Sequence, residues 1–163
     1  MPMHARLLSL TLLTILPMAA LAAGCGGDGD YQAPPLLLEG YVGAADPICA
    51  NAQQEIDALQ GSLTATLPSS LPDADWARYY QGVAKVGEAA LVQLRELKPQ
   101  ESDAARVEAA LSVLDELVQL TAQFGEVVAG NDPQEFARLA SQPAPSREPL
   151  MALGLDDCAK LRF

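Results

Sequence analysis

From Asp46 onward, apolar residues recur about every 3.6 positions, and no segment shows the sustained alternation of a half-buried strand. A helix with this pattern has one apolar face, which must pack against another element. The first apolar stripe consists of Cys49, Ala52, Ile56, Leu59 and Leu63. The pattern therefore predicts an all-α domain over residues 46–163.

Proline, glycine and capping residues divide this domain into about four helices. Asp46 followed by Pro47 predicts the start of helix 1, because an aspartate N-cap and a proline at the first helical position favour initiation. Ser102 and Asp132 are the expected N-caps of helices 3 and 4. The later helices are expected over residues 73–97, 102–129 and 133–141, followed by a short C-terminal turn over residues 150–153. Short connections between long helices favour an up-down antiparallel bundle.

Residues 1–24 have the layout of a secretory signal peptide, with Arg6 before an apolar run that ends in small residues. A membrane-spanning helix is the alternative. The run from Leu7 to Ala23 is only 17 residues long, whereas a bilayer core requires roughly 20, and Pro17 interrupts it. We therefore expect an exported protein.

The stretch Leu21-Ala22-Ala23-Gly24-Cys25 resembles a bacterial lipobox. The resemblance implies that Cys25 is lipidated and becomes the first residue of the mature protein. The alternative, cleavage after Ala22, would release the protein from the membrane. Acyl chains would hold it on the extracytoplasmic face of the membrane, because each buried CH₂ contributes about 0.8 kcal/mol.

The three cysteines cannot all pair with one another. Lipidation of Cys25 would leave Cys49 and Cys158 as an even pair, and export permits disulfides. A bridge between them would stabilise the fold by roughly 4–5 kcal/mol through loop-closure entropy. Two buried free thiols are the alternative.

Residues 25–45 contain the lipidated cysteine and a segment rich in glycine, which we interpret as a flexible tether. The apolar patch from Leu36 to Leu38 does not fit a solvated tether. Either it packs along the bundle, or it docks a partner or touches the membrane.

Three short motifs stand out along the domain: Ile48-Cys49-Ala50, Leu94-Arg95-Glu96-Leu97-Lys98-Pro99 and Gly154-Leu155-Asp156-Asp157-Cys158. With them, the chain resembles small exported lipoproteins of actinobacterial type. The resemblance implies a helical domain with paired terminal cysteines, and it carries no activity or ligand.

Charge and composition narrow the possible functions. The chain has 21 acidic and 10 basic side chains and a formal net charge of −11, which argues against a nucleic-acid partner. Its single histidine, His4, lies in the expected signal peptide. The mature chain therefore lacks the side chain most often used for proton transfer and for zinc ligation. We expect no catalytic residue, no metal site and no cofactor.

The acidic residues suggest two alternative functions, hydrolysis by carboxylates and binding of a divalent cation. In the pairs Asp115-Glu116 and Asp156-Asp157, neighbouring side chains on a helix would point about 100° apart, as is typical of a solvated surface. A hydrolase would need two acids that converge in one cleft. Aspartates suitable for calcium do not match the EF-hand spacing, so divalent-cation binding is kept only as an alternative.

Trp76, Tyr79 and Tyr80 form the one group with some ligand-binding character. Adjacent tyrosines cannot both face the core, so a hydroxyl either shields a boundary or lines a groove for a peptide or small molecule. We expect a non-catalytic binding or structural module of the cell envelope. The alternative is an accessory or sensor subunit that presents a helix groove to a membrane partner.

Overall fold

Residues 34–63 and 74–163 are described by a computed structural model, and they form six helices. The helices are α1 (Leu38–Gly61), α2 (Ala74–Glu96), α3 (Glu101–Gly130), α4 (Pro133–Ala140), α5 (Glu148–Leu153) and α6 (Asp156–Ala159). These two ranges contain no β-strand beyond an isolated bridge. The expected all-α class is confirmed.

Helices α2 and α3 pack against each other in antiparallel fashion, with glycines at their contact. A Cβ atom at Gly87 would lie 2.4 Å from Cγ2 of Val118, and one at Gly125 would lie 3.3 Å from the backbone nitrogen of Gln81. Residue numbers therefore fall along α2 as they rise along α3. Such close backbone approach requires a residue without a side chain.

Helix α1 is antiparallel to α2. The Tyr41 hydroxyl donates a hydrogen bond of 3.2 Å to the carbonyl oxygen of Leu94, whereas Leu59 lies against Gly82 near the other end of α2. The three long helices thus have the expected up-down arrangement.

The start of α1 differs from the prediction. The helix begins at Leu38, and Pro47 lies inside it, so the expected N-cap at Asp46 is wrong. Residues 38–45 therefore belong to the folded body and not to a tether.

Burial explains why α1 extends upstream of its proline. Tyr41 and Ala45 are fully buried and continue the stripe of Cys49 and Ile56. Their burial, with the Tyr41 hydrogen bond, offsets the roughly 3 kcal/mol that an internal proline costs. Asp46-Pro47 imitates a helix start locally, but the packing of Tyr41 decides the outcome.

The apolar patch before α1 packs mainly on the bundle. Leu36 and Leu38 lie against the core, while the Leu37 side chain is 64% exposed. The amide of Leu36 donates to the carbonyl of Lys98 at 2.7 Å, and the amide of Gln100 donates to the carbonyl of Leu36 at 2.9 Å. These two bonds attach the chain to the connection between α2 and α3.

The ends of α3 and α4 follow capping rules, with one exception. Asn131 ends α3 in the left-handed conformation, with φ 53°, and the Asp132 side chain accepts hydrogen bonds from the amides of Gln134 and Glu135. Ser102 is not the N-cap of α3, because the helix starts one residue earlier, after Gln100. The other predicted boundaries of α2, α3 and α4 agree closely with the structure.

The C-terminal segment forms two short helices in place of one turn. Helix α5 packs on α3, and Gly154, with φ 86°, ends it before α6 packs on α1. Cys49 and Cys158 are fully buried and form a disulfide with a Cα–Cα distance of 4.9 Å. The predicted bridge is therefore present, and it joins α6 to α1.

Candidate functional site

The aromatic residues singled out in the sequence lie in the first turns of α2 and are half-buried. Their rings extend onto two other helices and form the aromatic cluster. Its members are Trp76, Tyr79 and Tyr80 from α2, Phe124 from α3 and Phe136 from α4. Tyr80 stacks on Phe124 with ring centroids 5.7 Å apart, and Phe124 meets Phe136 edge-on at 5.5 Å. The cluster joins α2, α3 and α4.

The adjacent tyrosines face different neighbours, as the turn of a helix requires. Tyr79 packs against the core and lines a cavity with Leu59 of α1, whereas Tyr80 stacks on α3. Burial, and secondly the neighbouring Tyr79, raise the pKa of Tyr80. The Tyr80 hydroxyl therefore stays protonated at neutral pH and offers a neutral donor, not a nucleophile.

A cleft with a volume of about 290 Å³ lies beside this cluster, and we call it the Arg147 cleft. Its apolar wall comes from α2, α3, α4 and the end of the chain. This wall includes Tyr80, Leu117, Leu120, Phe124, Leu139 and Phe163. Among the described residues that line the cleft, Arg147 alone has a charged side chain.

Arg147 precedes α5 and is held by the backbone of the C-terminal segment. Its Nη1 donates to the carbonyl oxygens of Ala159 and Leu161, at 2.8 and 2.6 Å. No carboxylate among the described residues forms an ion pair with it. Burial lowers the pKa of Arg147 from its ordinary value, but an arginine remains charged at any physiological pH.

A second cavity, of about 360 Å³, lies between the ends of α1 and α2. Its described lining includes Leu59 and Leu63 on one side and Tyr79 of α2 on the other. Among the described residues that line it, Asp75 and Arg78 are charged, and they form an ion pair with each other. The described lining of this cavity therefore offers a ligand less unsatisfied charge than that of the Arg147 cleft does.

The paired carboxylates do not converge on a common site. Asp115 accepts hydrogen bonds from Arg95 at 2.9 Å and from Gln119 at 3.1 Å, and the Arg95 bond is the main cause of a lowered Asp115 pKa. Asp157 pairs with Lys160 at 3.0 Å. Residues 34–63 and 74–163 contain no group of three or more acidic, histidine or cysteine side chains that could hold a metal ion.

Among the acids that the structure describes, Asp46 has the least favourable surroundings. One of its carboxylate oxygens is buried without a hydrogen-bond partner. Burial first, and the charge of Asp157 second, raise the pKa of Asp46, although the Asp157 amide and Lys160 oppose the shift. Ionisation of Asp46 therefore lowers the stability of the fold, and Asp46 is not among the residues that line the Arg147 cleft.

The proposed anchor lies outside the described residues. This is true of Cys25, of the expected signal peptide over residues 1–24 and of residues 26–33. Among the helices that the structure describes, none has the length and hydropathy needed to cross a bilayer.

Sequence reasoning found only part of the cleft. It singled out Tyr80 but not Arg147 or Phe163, which are distant from Tyr80 in the chain and carry no motif. No protein-family model matches the chain, and no curated protein and no solved structure matches it either.

Proposed function

We propose that this protein is a lipid-anchored, extracytoplasmic binding module of the cell envelope, which takes a small ligand in the Arg147 cleft and performs no catalysis. One observation carries the proposal: in a concave cleft of about 290 Å³ lined mainly by hydrophobic residues, Arg147 is the one charged side chain among the described lining residues. Apolar walls with few convergent polar groups are typical of small-molecule sites.

Two other features support the proposed location of the protein outside the cytoplasm, on a membrane surface. The stretch that ends at Cys25 resembles a lipobox. The disulfide between Cys49 and Cys158 is of a kind that persists in oxidising compartments and is rare in the cytosol. Both features fit a protein that is exported and held on a membrane surface.

The chemistry of the cleft favours binding over catalysis. General acid–base catalysis needs a group with a pKa near the working pH. The Tyr80 pKa is raised, and the Thr121 hydroxyl donates to the Leu117 carbonyl oxygen at 2.9 Å. The described lining includes no acidic side chain.

The structure also disfavours two alternatives to a small ligand, a partner docked in a helix groove and a cation. A helix groove between α2 and α3 is disfavoured, because the two backbones approach closely at Gly87 and Gly125. A cation is disfavoured in the Arg147 cleft, because the one charged side chain among its described lining residues is the positive Arg147. A small molecule that is neutral or anionic fits best.

The anchor is tested by the intact mass of protein extracted from membranes. We expect a mass that includes acyl groups on Cys25 and the loss of two hydrogens for the disulfide. The mass of an unmodified chain, or of a chain cleaved after Ala22, would overturn the proposed anchoring.

The cleft is tested with two isosteric probes, 3-phenylpropan-1-ol and 3-phenylpropionate, titrated into the mature chain. NMR should show saturable shifts at Leu139, Phe124 and Phe163 with at least one probe. Ala144→Trp fills the cleft from an exposed position and should weaken binding about tenfold or more, while Ala152→Trp, exposed elsewhere on α5, should not. If neither probe binds there, the proposed function is wrong.

A further inference from the structure

Arg147 differs from the other described arginines in having no acidic partner. The remaining five pairs are Arg78–Asp75, Arg95–Asp115, Arg106–Asp103, Arg138–Glu135 and Arg162–Asp57. In a chain with 21 acids and 10 basic residues, an acidic partner for every arginine is the expected situation. Among the described arginines, Arg147 has the one guanidinium outside an ion pair, and it is half-buried and lines a cleft.

The hydrogen bonds of Arg147 leave one edge of its guanidinium available. A guanidinium has five N–H donors, and the two on Nη1 are engaged by the carbonyls of Ala159 and Leu161. Nε and Nη2 donate to no group within the described residues, and neither atom is a buried orphan. These two nitrogens form the planar fork that matches both oxygens of a carboxylate.

The carbonyl bonds also hold this fork in place before a ligand arrives. The C-terminal segment that supplies them is itself fixed by the disulfide at Cys158. A donor that is already ordered loses less side-chain entropy on binding than a free surface arginine does.

The volume and lining of the cleft limit the rest of the ligand. A water molecule takes about 30 Å³ of liquid, so a cleft of about 290 Å³ accommodates a ligand of roughly ten non-hydrogen atoms. The rings of Tyr80, Phe124 and Phe163 and the leucines of α3 and α4 present an apolar wall. A ligand of this size therefore needs an apolar body.

We infer that the Arg147 cleft binds a small monocarboxylate with an apolar body, whose two oxygens accept hydrogen bonds from Nε and Nη2 of Arg147. The inference rests on the proposed function, because it assigns a ligand class to the same cleft. The apolar body is an alkyl chain or an aromatic ring. In either case the ligand has the carboxylate that Arg147 recognises.

The experiment compares matched acids and alcohols on the mature protein. The pairs are 3-phenylpropionate with 3-phenylpropan-1-ol, and octanoate with octan-1-ol. We expect each acid to bind about tenfold or more tightly than its alcohol, because a charge-assisted hydrogen bond contributes more than a neutral one. The acid that binds more tightly shows whether the cleft prefers an aromatic ring or an alkyl chain.

Variants locate the preference at Arg147. Arg147→Gln should bring each acid down to the affinity of its alcohol, and Arg147→Lys should keep only part of the preference, because an ammonium group lacks the fork. Arg138→Gln is the matched control, since Arg138 is exposed on α4 and does not line the cleft. Thermal unfolding shows which variants are folded. If a variant does not fold, the ratio of acid affinity to alcohol affinity in the unaltered protein still tests the ligand class.

The outcomes separate the inference from the proposed function. Alcohols that bind in the cleft as tightly as their acids would overturn the monocarboxylate assignment and leave the binding module intact. An acid preference that persists in folded Arg147→Gln would overturn the role of Arg147. Absence of binding by all four probes would overturn both.

Discussion

At Gly87 the absence of a side chain allows α2 to approach α3. An added Cβ would lie 2.4 Å from Val118 and 2.7 Å from the ring of Phe163. Both distances are far below van der Waals contact, so a methyl group would push the helices apart or displace Phe163 from the Arg147 cleft. This glycine couples helix packing to the shape of the candidate site.

We therefore predict that Gly87→Ala destabilises the protein by about 1–3 kcal/mol, the usual cost of overpacking. Gly43→Ala is the control, because nothing lies within 4 Å of its added Cβ, and it should stabilise α1 by about 0.5–1 kcal/mol. Urea unfolding measures both effects. Equal effects of the two substitutions would contradict the close approach.

Asp46 and Asp115 should respond to pH with opposite signs. The folded-state pKa of Asp46 is raised, mainly by burial, so ionisation of Asp46 costs stability above that pKa, and the cost disappears below the ordinary value of 3.8. Asp46→Asn should therefore stabilise the protein at pH 7 but not near pH 3.

The pKa of Asp115 is lowered, mainly by its hydrogen bond to Arg95, so its contribution is present above 3.8 and is lost as pH falls through the folded pKa. Asp115→Asn should destabilise the protein slightly at pH 7, because exposed ion pairs contribute about 0–1 kcal/mol. Urea unfolding across this pH range measures both variants. A stabilising effect of Asp115→Asn at pH 7 would contradict a stabilising ion pair between Arg95 and Asp115.

Among the helices, α1 has two possible starting points, Leu38 and Pro47, and a substitution at Pro47 distinguishes them. Inside a helix, a proline removes a backbone hydrogen bond, so Pro47→Ala should stabilise the protein by about 1–3 kcal/mol. At the first helical position, a proline is favourable, and the same change would be neutral or destabilising. Thermal unfolding of Pro47→Ala therefore tests whether α1 begins at Leu38.

The helices illustrate what local sequence predicts. Asp132-Pro133 contains its own capping information, and α4 starts there as expected. Asp46-Pro47 contains the same information, yet α1 begins at Leu38, because the fit of Tyr41 against Leu94 is a tertiary contact. Local rules succeed where no distant side chain competes with them.

At the scale of the whole molecule, the disulfide determines where the chain's last helix lies. Cys49 and Cys158 are 109 residues apart in sequence and fully buried. We predict that Cys49→Ala with Cys158→Ala lowers the free energy of unfolding by about 2–5 kcal/mol.

Thermal unfolding with and without reductant measures the contribution of this bond. Reductant should lower the midpoint of the unaltered protein and leave that of the double variant unchanged. Sensitivity of the double variant to reductant would place the effect elsewhere.

The candidate site was less predictable than the fold. Tyr80 and Phe124 belong to predicted helices, but their stacking depends on how α2 and α3 pack. Arg147 joins them because its guanidinium binds the carbonyls of Ala159 and Leu161, which α6 and the disulfide bring within reach. No periodicity or motif encodes such long-range contacts.

The attachment of Leu36 beside Lys98 places the amino-terminal end of the described body at the α2–α3 connection. The chain joins the body at the α2–α3 connection, whereas Leu117 of the Arg147 cleft lies about 17 residues, or roughly 25 Å, farther along α3. In the anchored protein that we propose, the cleft would lie away from the amino-terminal attachment, and solutes would reach it from the aqueous phase without first partitioning into lipid.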